Sequence, residues 1–497
     1  MKFSLIRKAL KSFRAIGEGP FQILGLSENS QTTRKGDLFF CMPGSRVDGR
    51  DYAKEALQKG AAWVVAEKKP IAGLAAPQLV VPDIREALAL SAKAFYQNPS
   101  QKVKVLGVTG TKGKTTTTFL IRHLLDYAGK KSGLIGTISY QVGKKIYDAP
   151  NTTPSALVVN RLLSEMAKAG SAYAVMEVSS HSLSLQRVRG VEFAGAVFTN
   201  LGRDHLDFHK TFTNYFNAKQ TLFTQFPSVR FRTANADDPY GRKLLKLLGR
   251  KGAGYGVKTK CAYRATEVQL QPGHSTFTLQ GRKFEVPLTG LFNVYNSLAA
   301  LSILKEMGFS WPVLQKGLQK APAVPGRFEK VAEGQEFVVL VDYAHTSDAL
   351  EQALVASRQI LQQTNGNKLI SVFGCGGDRD KTKRPLMGRL SAELADLTVV
   401  TSDNPRTENP KVILRDILAG VPKSLRAGKD KKVLVEEKRD RAIRLALSRA
   451  RRGDLVLIAG KGHETYQIFG RTKTHFDDRE EARKVLRQLA KTGQRGY

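Results

Sequence analysis

Cysteine is scarce in this chain. Its 497 residues include only Cys41, Cys261 and Cys375, odd in number and far apart. That excludes a disulfide framework and a cysteine metal site, and it suits a reducing, cytoplasmic setting. Long apolar runs are also missing: none approaches the roughly 20 residues needed to cross a bilayer. The N-terminus, MKFSLIRKALKSFRAIG, is basic but lacks a continuous apolar stretch and a small-residue cleavage site, so it does not read as a secretory signal. Phe3, Ile6, Leu10 and Phe13 share one helical face, which predicts a first helix packed on its own domain; a membrane-surface helix is the alternative. Acidic residues are the third shortage. Against 79 lysines and arginines stand 44 acids, a net charge of +35. Such an excess attracts polyanions: nucleic acid, anionic lipid or phosphorylated substrates. Here it is spread along the chain, with short clusters at 429–432 and 449–452. An RNA-binding aromatic signature, a zinc finger and a basic zipper are all absent, so no nucleic-acid partner is expected.

What is present centres on VLGVTGTKGKTTTT, residues 105–118. The run 103–108 predicts a buried strand, 109–113 a small-residue turn, and Lys114 onward a helix with apolar Phe119, Ile121, Leu124 and Leu125. Strand, glycine turn and helix start together make an anion site, because backbone N–H groups and the positive helix end face the phosphates. Gly110, Thr111, Lys112, Gly113, Lys114, Thr115 and Thr116 would line it. Lys114 adds a full charge, and Thr115 offers a hydroxyl to a phosphate-bound Mg²⁺. The full pattern wants a glycine six positions before the lysine, where this chain has Val108.

The length predicts about three domains. Residues 1–98 read as a small α/β domain and 99–325 as a central domain whose parallel strands end in polar residues. Residues 326–497 repeat the strand–helix period as a doubly wound domain of the Rossmann type. Asn98-Pro99-Ser100 and the stretch 322–326 read as linkers, and 260–288 as a β-hairpin set. Glu177 follows an apolar strand and could hold Mg²⁺ together with Thr115. The stretch from Asp204 to His209 gathers carboxylates and imidazoles at another strand end, while Lys219, on a helix-like segment, reads by itself as a surface lysine. Asp342 and His345 close a further strand. Gly374–Lys381 is a weak dinucleotide fingerprint. Arg406 with Arg384 could clamp a carboxylate bidentately, and Glu464 could meet an ammonium, so an amino acid is the simplest ligand for that domain.

The motifs TGTKGKTTT, EVSSH, TNLGRDHLDFH, NAKQTLF, GLFNVYN, PGRFE, VDYAH, GCGGDRDKTKRPLMG, SDNPRTENP and AGKGHE stand in one order. In that order the chain resembles the Mur ligase family over nearly its whole length, and most of all the branch that adds the third amino acid, diaminopimelate. The resemblance implies three α/β domains that bind, in order, a UDP-sugar, ATP and an amino acid. It implies a cytoplasmic, monomeric, ATP- and Mg²⁺-dependent ligase of peptidoglycan synthesis that joins meso-diaminopimelate to UDP-MurNAc-L-Ala-D-Glu through an acyl phosphate. Carried over by position, Lys114 and Thr115 hold phosphates and Mg²⁺, and Glu177 and His205 are further metal ligands. Lys219 matches the lysine that becomes N6-carboxylated. Asn296, Arg327, Asp342 and His345 resemble ATP contacts. Ser30, Thr152, Thr153, Ser179 and Arg187 resemble contacts to the UDP-MurNAc-dipeptide. Arg384, Asp403, Asn404, Pro405, Arg406, Gly460 and Glu464 match the diaminopimelate site, because the arginine meets a distal carboxylate that lysine lacks. The chain departs from the family pattern at Asn29-Ser30-Gln31, where Asp-Ser-Arg is usual, and at Ser347, where proline is usual. Two other readings compete: a folylpolyglutamate synthetase of the same fold, and a polyanion-stimulated basic ATPase. The basic surface could also dock the ligase near membrane or cell-wall synthesis partners.

Overall fold

The computed structural model describes residues 3–10, 12–44, 47–363, 366–426 and 432–491. Of the basic cluster 429–432, residues 429–431 lie outside these. The chain divides into two compact units, Met1–Tyr263 with Leu298–Leu314, and Arg264–Ser297 with Gln315–Tyr497.

The first unit holds two sheets. The smaller has the order Arg14–Ile16, Gln78–Val81, Trp63–Glu67, Asp37–Phe40, Gly25–Ser27, with only Arg14–Ile16 antiparallel. Its central strands are short apolar runs buried on both faces, as parallel strands between layers must be. The helix Phe3–Ala9 packs on this sheet: Ile6 is buried and the Phe3 ring stacks on Trp63 at 4.5 Å. The apolar face of the N-terminus is therefore spent on its own domain, not on a membrane. The expected linker at 98–100 is instead a fixed joint. Asn98 adopts a left-handed φ of 48° before the short helix Pro99–Lys102, and Asn98 and Lys93 both donate to Glu192, at 2.8 and 3.0 Å. An ordered side-chain cluster replaces the slack that the Asn-Pro dipeptide suggests.

The larger sheet of this unit runs Ala253–Gly256, Phe231–Asn235, Phe193–Phe198, Lys104–Thr109, Tyr173–Glu177, Ser132–Ile135, all parallel. An antiparallel hairpin, Ser139–Val142 and Lys145–Asp148, closes its edge. Lys104–Thr109 lies between the strands that follow it in sequence, so the chain crosses over on both sides of it. This is the switch point at which open α/β sheets bind ligands beyond the carboxyl ends of their strands.

In the second unit, Tyr263–Gln271, His274–Leu279 and Arg282–Val286 form the expected antiparallel meander. The other sheet has the order Glu329–Val331, Val338–Asp342, Leu455–Ala459, Leu369–Cys375, Leu397–Ser402, Val433–Val435, parallel except for its first strand. The α/β doubly wound reading holds. One helix of this domain spans Lys383–Leu394. Its buried face carries Arg384, Gly388 and Ser391, too polar to read as an apolar stripe.

Candidate active site

In the first unit the strand Lys104–Thr109 delivers the chain into the turn 110–113, and the helix Lys114–Tyr127 leaves it. Gly110 has φ 150°, and a Cβ there would stand 1.9 Å from the Thr199 hydroxyl, so no side chain fits. The turn is stitched to the next strand end. Thr111 N–H donates to the Asn200 carbonyl (2.8 Å) and Lys112 N–H to the Asn200 side-chain oxygen (3.0 Å). The Thr199 and Asn200 side chains donate to the Lys112 carbonyl, at 2.6 and 3.2 Å. Lys114 Nζ reaches back to the carbonyls of Gly110 and Thr111, at 3.0 and 2.9 Å. The turn has the geometry of a phosphate cradle, with its cation folded inward.

Around it converge the groups expected from widely spaced motifs. Thr115 donates to Glu177 Oε2 at 3.1 Å, and the Thr137 hydroxyl donates to the same oxygen at 3.0 Å. Thr152 Oγ1 lies 3.0 Å from Thr137 Oγ1, and Thr153 donates to the Glu177 carbonyl at 2.8 Å. Ser179 N–H donates to Thr153 Oγ1 (3.1 Å), and Arg187 to the Thr153 carbonyl (3.0 Å). Lys219 is fully buried; its Nζ donates to the Gly110 carbonyl at 2.8 Å and lies 4.5 Å from the Tyr215 ring centroid. Burial first, then the charge of Lys114, pulls its pKa well below the ordinary lysine value. His205, at φ 53°, stands beside His181 (4.7 Å between rings), and burial lowers the pKa of both, His181 to about 4. Ser30 is buried elsewhere in this unit and donates to Glu55 at 2.8 Å.

In the second unit the strand ends again carry the polar groups. Asp342 is half-buried and accepts the Phe328 N–H at 2.8 Å; desolvation raises its pKa against the pull of Arg327. Arg327 lies over the Tyr343 ring at 4.8 Å. His345 Nδ1 is 2.8 Å from the Tyr343 carbonyl, and burial lowers its pKa. Asn296 is buried and donates to Asn293 at 3.1 Å. Lys461, wholly buried, ties the next cluster: its Nζ lies 3.3 Å from Asp403, 3.1 Å from Asn404 Oδ1 and 3.5 Å from Glu464. Asn404 Nδ2 in turn donates to Glu464 Oε2 at 2.9 Å. Burial raises the Glu464 pKa, so Lys461 does not fully compensate it. Gly460 has φ 122°, its Cα edged by Asp403. Arg406, at φ 53°, donates to the Gly377 carbonyl at 2.7 Å; among the described residues it forms no salt bridge, and, after the Thr407 hydrogen bonds, its charge helps to lower the pKa of the exposed Asp378. The expected clamp of two open guanidinium groups is corrected at Arg384. That side chain is fully buried and held by Glu408 (2.9 and 3.0 Å) and Asp416 (2.9 Å), which drives the Glu408 pKa to about 2.

Three family models cover most of the chain: "Mur ligase family, catalytic domain" at 22–96, "Mur ligase middle domain" at 108–304 and "Mur ligase, glutamate ligase domain" at 326–462. The UDP-N-acetylmuramoyl-L-alanyl-D-glutamate--2,6-diaminopimelate ligase of Geobacillus thermodenitrificans is 44% identical over 98% of this chain and 100% of its own length. The chain belongs to the Mur ligase family. The enzyme of the same name from Gloeobacter violaceus is 46% identical over 95% of each chain. A solved structure of a ligase of that name is similar at TM-score 0.68, with 32% identity and 99% coverage of each chain.

Two residues of this Mur ligase escaped the sequence reading. Thr137 follows no motif, and Lys461 sits inside one but looks like an ordinary loop lysine; only its burial among three polar partners sets it apart. Lys461→Met is expected to lower unfolding stability by about 3 kcal/mol, since removing one partner strands Asp403 and Glu464. Urea denaturation of the variant against the wild type checks this, and equal midpoints and slopes would refute it. His463 supplies a pH test. Burial, then Arg327, lowers its pKa to about 3, and its Nδ1 finds no hydrogen-bond partner. Between pH 6.5 and 3 the unfolded chain therefore binds the proton that the folded one refuses. This contribution to stability is present above pH 6.5 and is lost as pH falls through that window. His463→Gln is expected to flatten the stability–pH slope between pH 7 and 5, measured by denaturation at each pH.

Proposed function

We propose that this Mur ligase joins meso-diaminopimelate to the D-glutamate γ-carboxylate of UDP-N-acetylmuramoyl-L-alanyl-D-glutamate, at the expense of ATP, in peptidoglycan synthesis. The observation that carries this reading is the array of Arg406, Asn404 and Glu464: an open guanidinium for a carboxylate and an under-compensated acid for an ammonium. The segments 1–98, 99–325 and 326–497 act as UDP-sugar, ATP and amino-acid domains of a cytoplasmic monomer. No helix among the described residues is long and apolar enough to cross a membrane.

The substrate carboxylate attacks the γ-phosphorus of ATP and ADP leaves. The amine then attacks the acyl carbon, phosphate departs with the bonding pair, and the nitrogen loses a proton. Phosphoryl transfer of this kind is mostly positioning and charge stabilisation. Lys114 and the N–H groups of 110–116 hold the phosphates; in the second unit, Asn296, Arg327, Asp342 and His345 are the groups that the family resemblance assigns to ATP. Ser30, Thr152, Thr153, Ser179 and Arg187 hold the UDP-MurNAc-dipeptide. Arg384, braced by Glu408 and Asp416, positions the loop beneath Arg406 through the Gly376 carbonyl. The Thr115 hydroxyl and Glu177 carboxylate, hard oxygen donors side by side, suit Mg²⁺, with His205 and a carboxylated Lys219 completing the set. When bound, the metal would neutralise phosphate charge.

Carboxylation of Lys219 joins its neutral amine to carbon dioxide with loss of a proton, and burial favours that neutral amine. Protein kept in labelled bicarbonate is expected to show a carbamate carbon signal by NMR that Lys219→Ala lacks; an identical signal in both would refute it. The activity itself is tested by phosphate release from ATP and the UDP-MurNAc-dipeptide with either meso-diaminopimelate or L-lysine. Release with lysine alone overturns the assignment.

A further inference from the structure

The first unit carries a second concentration of positive charge. The helix Pro239–Leu248, the turn Gly249–Lys251 and the flanks of two strands enclose a cleft of about 800 Å³. Arg230, Arg232, Arg242, Arg250, Lys251 and Lys260 line it, against a single carboxylate, Glu306. Glu306 already accepts the Tyr263 hydroxyl at 2.6 Å. The other local acids are turned onto backbone. Asp237 takes the N–H groups of Val257, Lys258 and Thr259, and Asp238 those of Leu201, Tyr240 and Gly241. Arg232 donates to the Phe223 carbonyl, and Arg242 to those of Ala236 and Asp237, with the Asp238 carboxylate within the field of Arg242. Like charges gathered without counter-charge repel one another, and a bound polyanion relieves that repulsion.

The lining also says what kind of anion fits. Phe231 is its one aromatic residue, so bases would find no stacking platform. Arg232 is half-buried within the concavity, and the other five cations are exposed around it. Guanidinium groups pair bidentately with phosphate oxygens. We propose that this cleft binds a small ligand carrying several phosphate groups and recognises it through the phosphates. It is separate from the phosphate loop: Arg230 and Gly252 precede the N-terminal ends of parallel strands, whereas the loop follows a C-terminal end. The chemistry is that of a phosphate chain, either inorganic or the tail of a nucleotide.

Cys261 provides the readout. It lines the cleft and is half-buried, whereas Cys41 and Cys375 are buried with thiols pushed up to about 12. The full-length protein is treated with a maleimide, and modification of Cys261 is followed by peptide mass spectrometry. Tripolyphosphate at ten times its dissociation constant is expected to slow Cys261 modification about tenfold. Arg250→Gln/Lys260→Gln is expected to abolish that protection and keep ligase activity; the two single variants replace it if the double variant does not fold. Comparing tripolyphosphate with adenosine tetraphosphate separates a bare chain from a nucleotide tail. Four results would overturn the proposal: no protection, protection that sulfate reproduces at equal ionic strength, protection that survives in the variants, or protection by RNA or phosphatidylglycerol vesicles but not by tripolyphosphate.

Discussion

Lys114→Met is expected to lower kcat about 100- to 1,000-fold, the loss typical of removing one preorganised donor to transition-state charge. The reason lies in what the side chain touches. Its Nζ meets two backbone carbonyls, those of Gly110 and Thr111. In phosphoryl transfer the same cation would exchange these carbonyls for phosphate oxygens on which charge is building. The variant has a second, separable signature. Lys114 is the charge that, after burial, depresses the Lys219 pKa. Removing it raises that pKa toward the ordinary lysine value, so Lys219 should take up labelled bicarbonate less readily at neutral pH. Phosphate release and carbamate content measured on one preparation check both. A kcat within about threefold of wild type would refute the role assigned to Lys114.

Arg406→Ala should cost about 2–4 kcal/mol of transition-state binding for meso-diaminopimelate, which is about 30- to 1,000-fold in kcat/KM. L-lysine, without the distal carboxylate, should be used no worse than before. Arg406→Lys should recover little, because an ammonium cannot reproduce the two parallel bonds of a guanidinium. The geometry supports a local effect. The backbone of Arg406 is held on both sides by the hairpin Tyr466–Phe469 and Thr472–His475: its N–H donates to the Ile468 carbonyl at 3.0 Å, and its own carbonyl accepts the Gly470 N–H at 2.7 Å. That grip fixes a left-handed φ of 53°, a conformation costing on the order of 1 kcal/mol that persists only where the surroundings impose it. The frame should therefore survive truncation of the side chain. Kinetics with both amino acids decide the matter, and equal losses for the two would sink the specificity role.

The phosphate loop was legible because its chemistry is local. Strand, turn, lysine and helix lie within one short stretch, so periodicity and glycine placement announce it. The first helix was legible for the same reason: one apolar face, one sheet to cover. Lys219 stood out only through the family resemblance, and Lys461 not at all. In sequence each is a lysine on a helix or in a glycine loop, and such lysines usually reach solvent. Each is wholly buried because distant segments close over it, the 110–113 turn in one case and the ends of two parallel strands in the other. Arg384 shows the opposite error. The spacing invited a substrate clamp, but Glu408 and Asp416, each more than twenty residues away, occupy its guanidinium. Which charges are already paired is a property of packing, and no local pattern encodes it.

By itself, the sequence determined the α/β class, the order of the motifs and the strand–turn–helix around Gly110–Lys114, because each depends on neighbours in the chain. The tertiary structure alone decided that Thr115, Thr137, Thr152, Thr153, Ser179 and Arg187 gather around Glu177, that Lys461 locks Asn404 to Glu464, and that six cations share one cleft. The reason is topological. Crossover connections bring the ends of non-consecutive strands together, and burial then sets which of their charges stay open to a ligand.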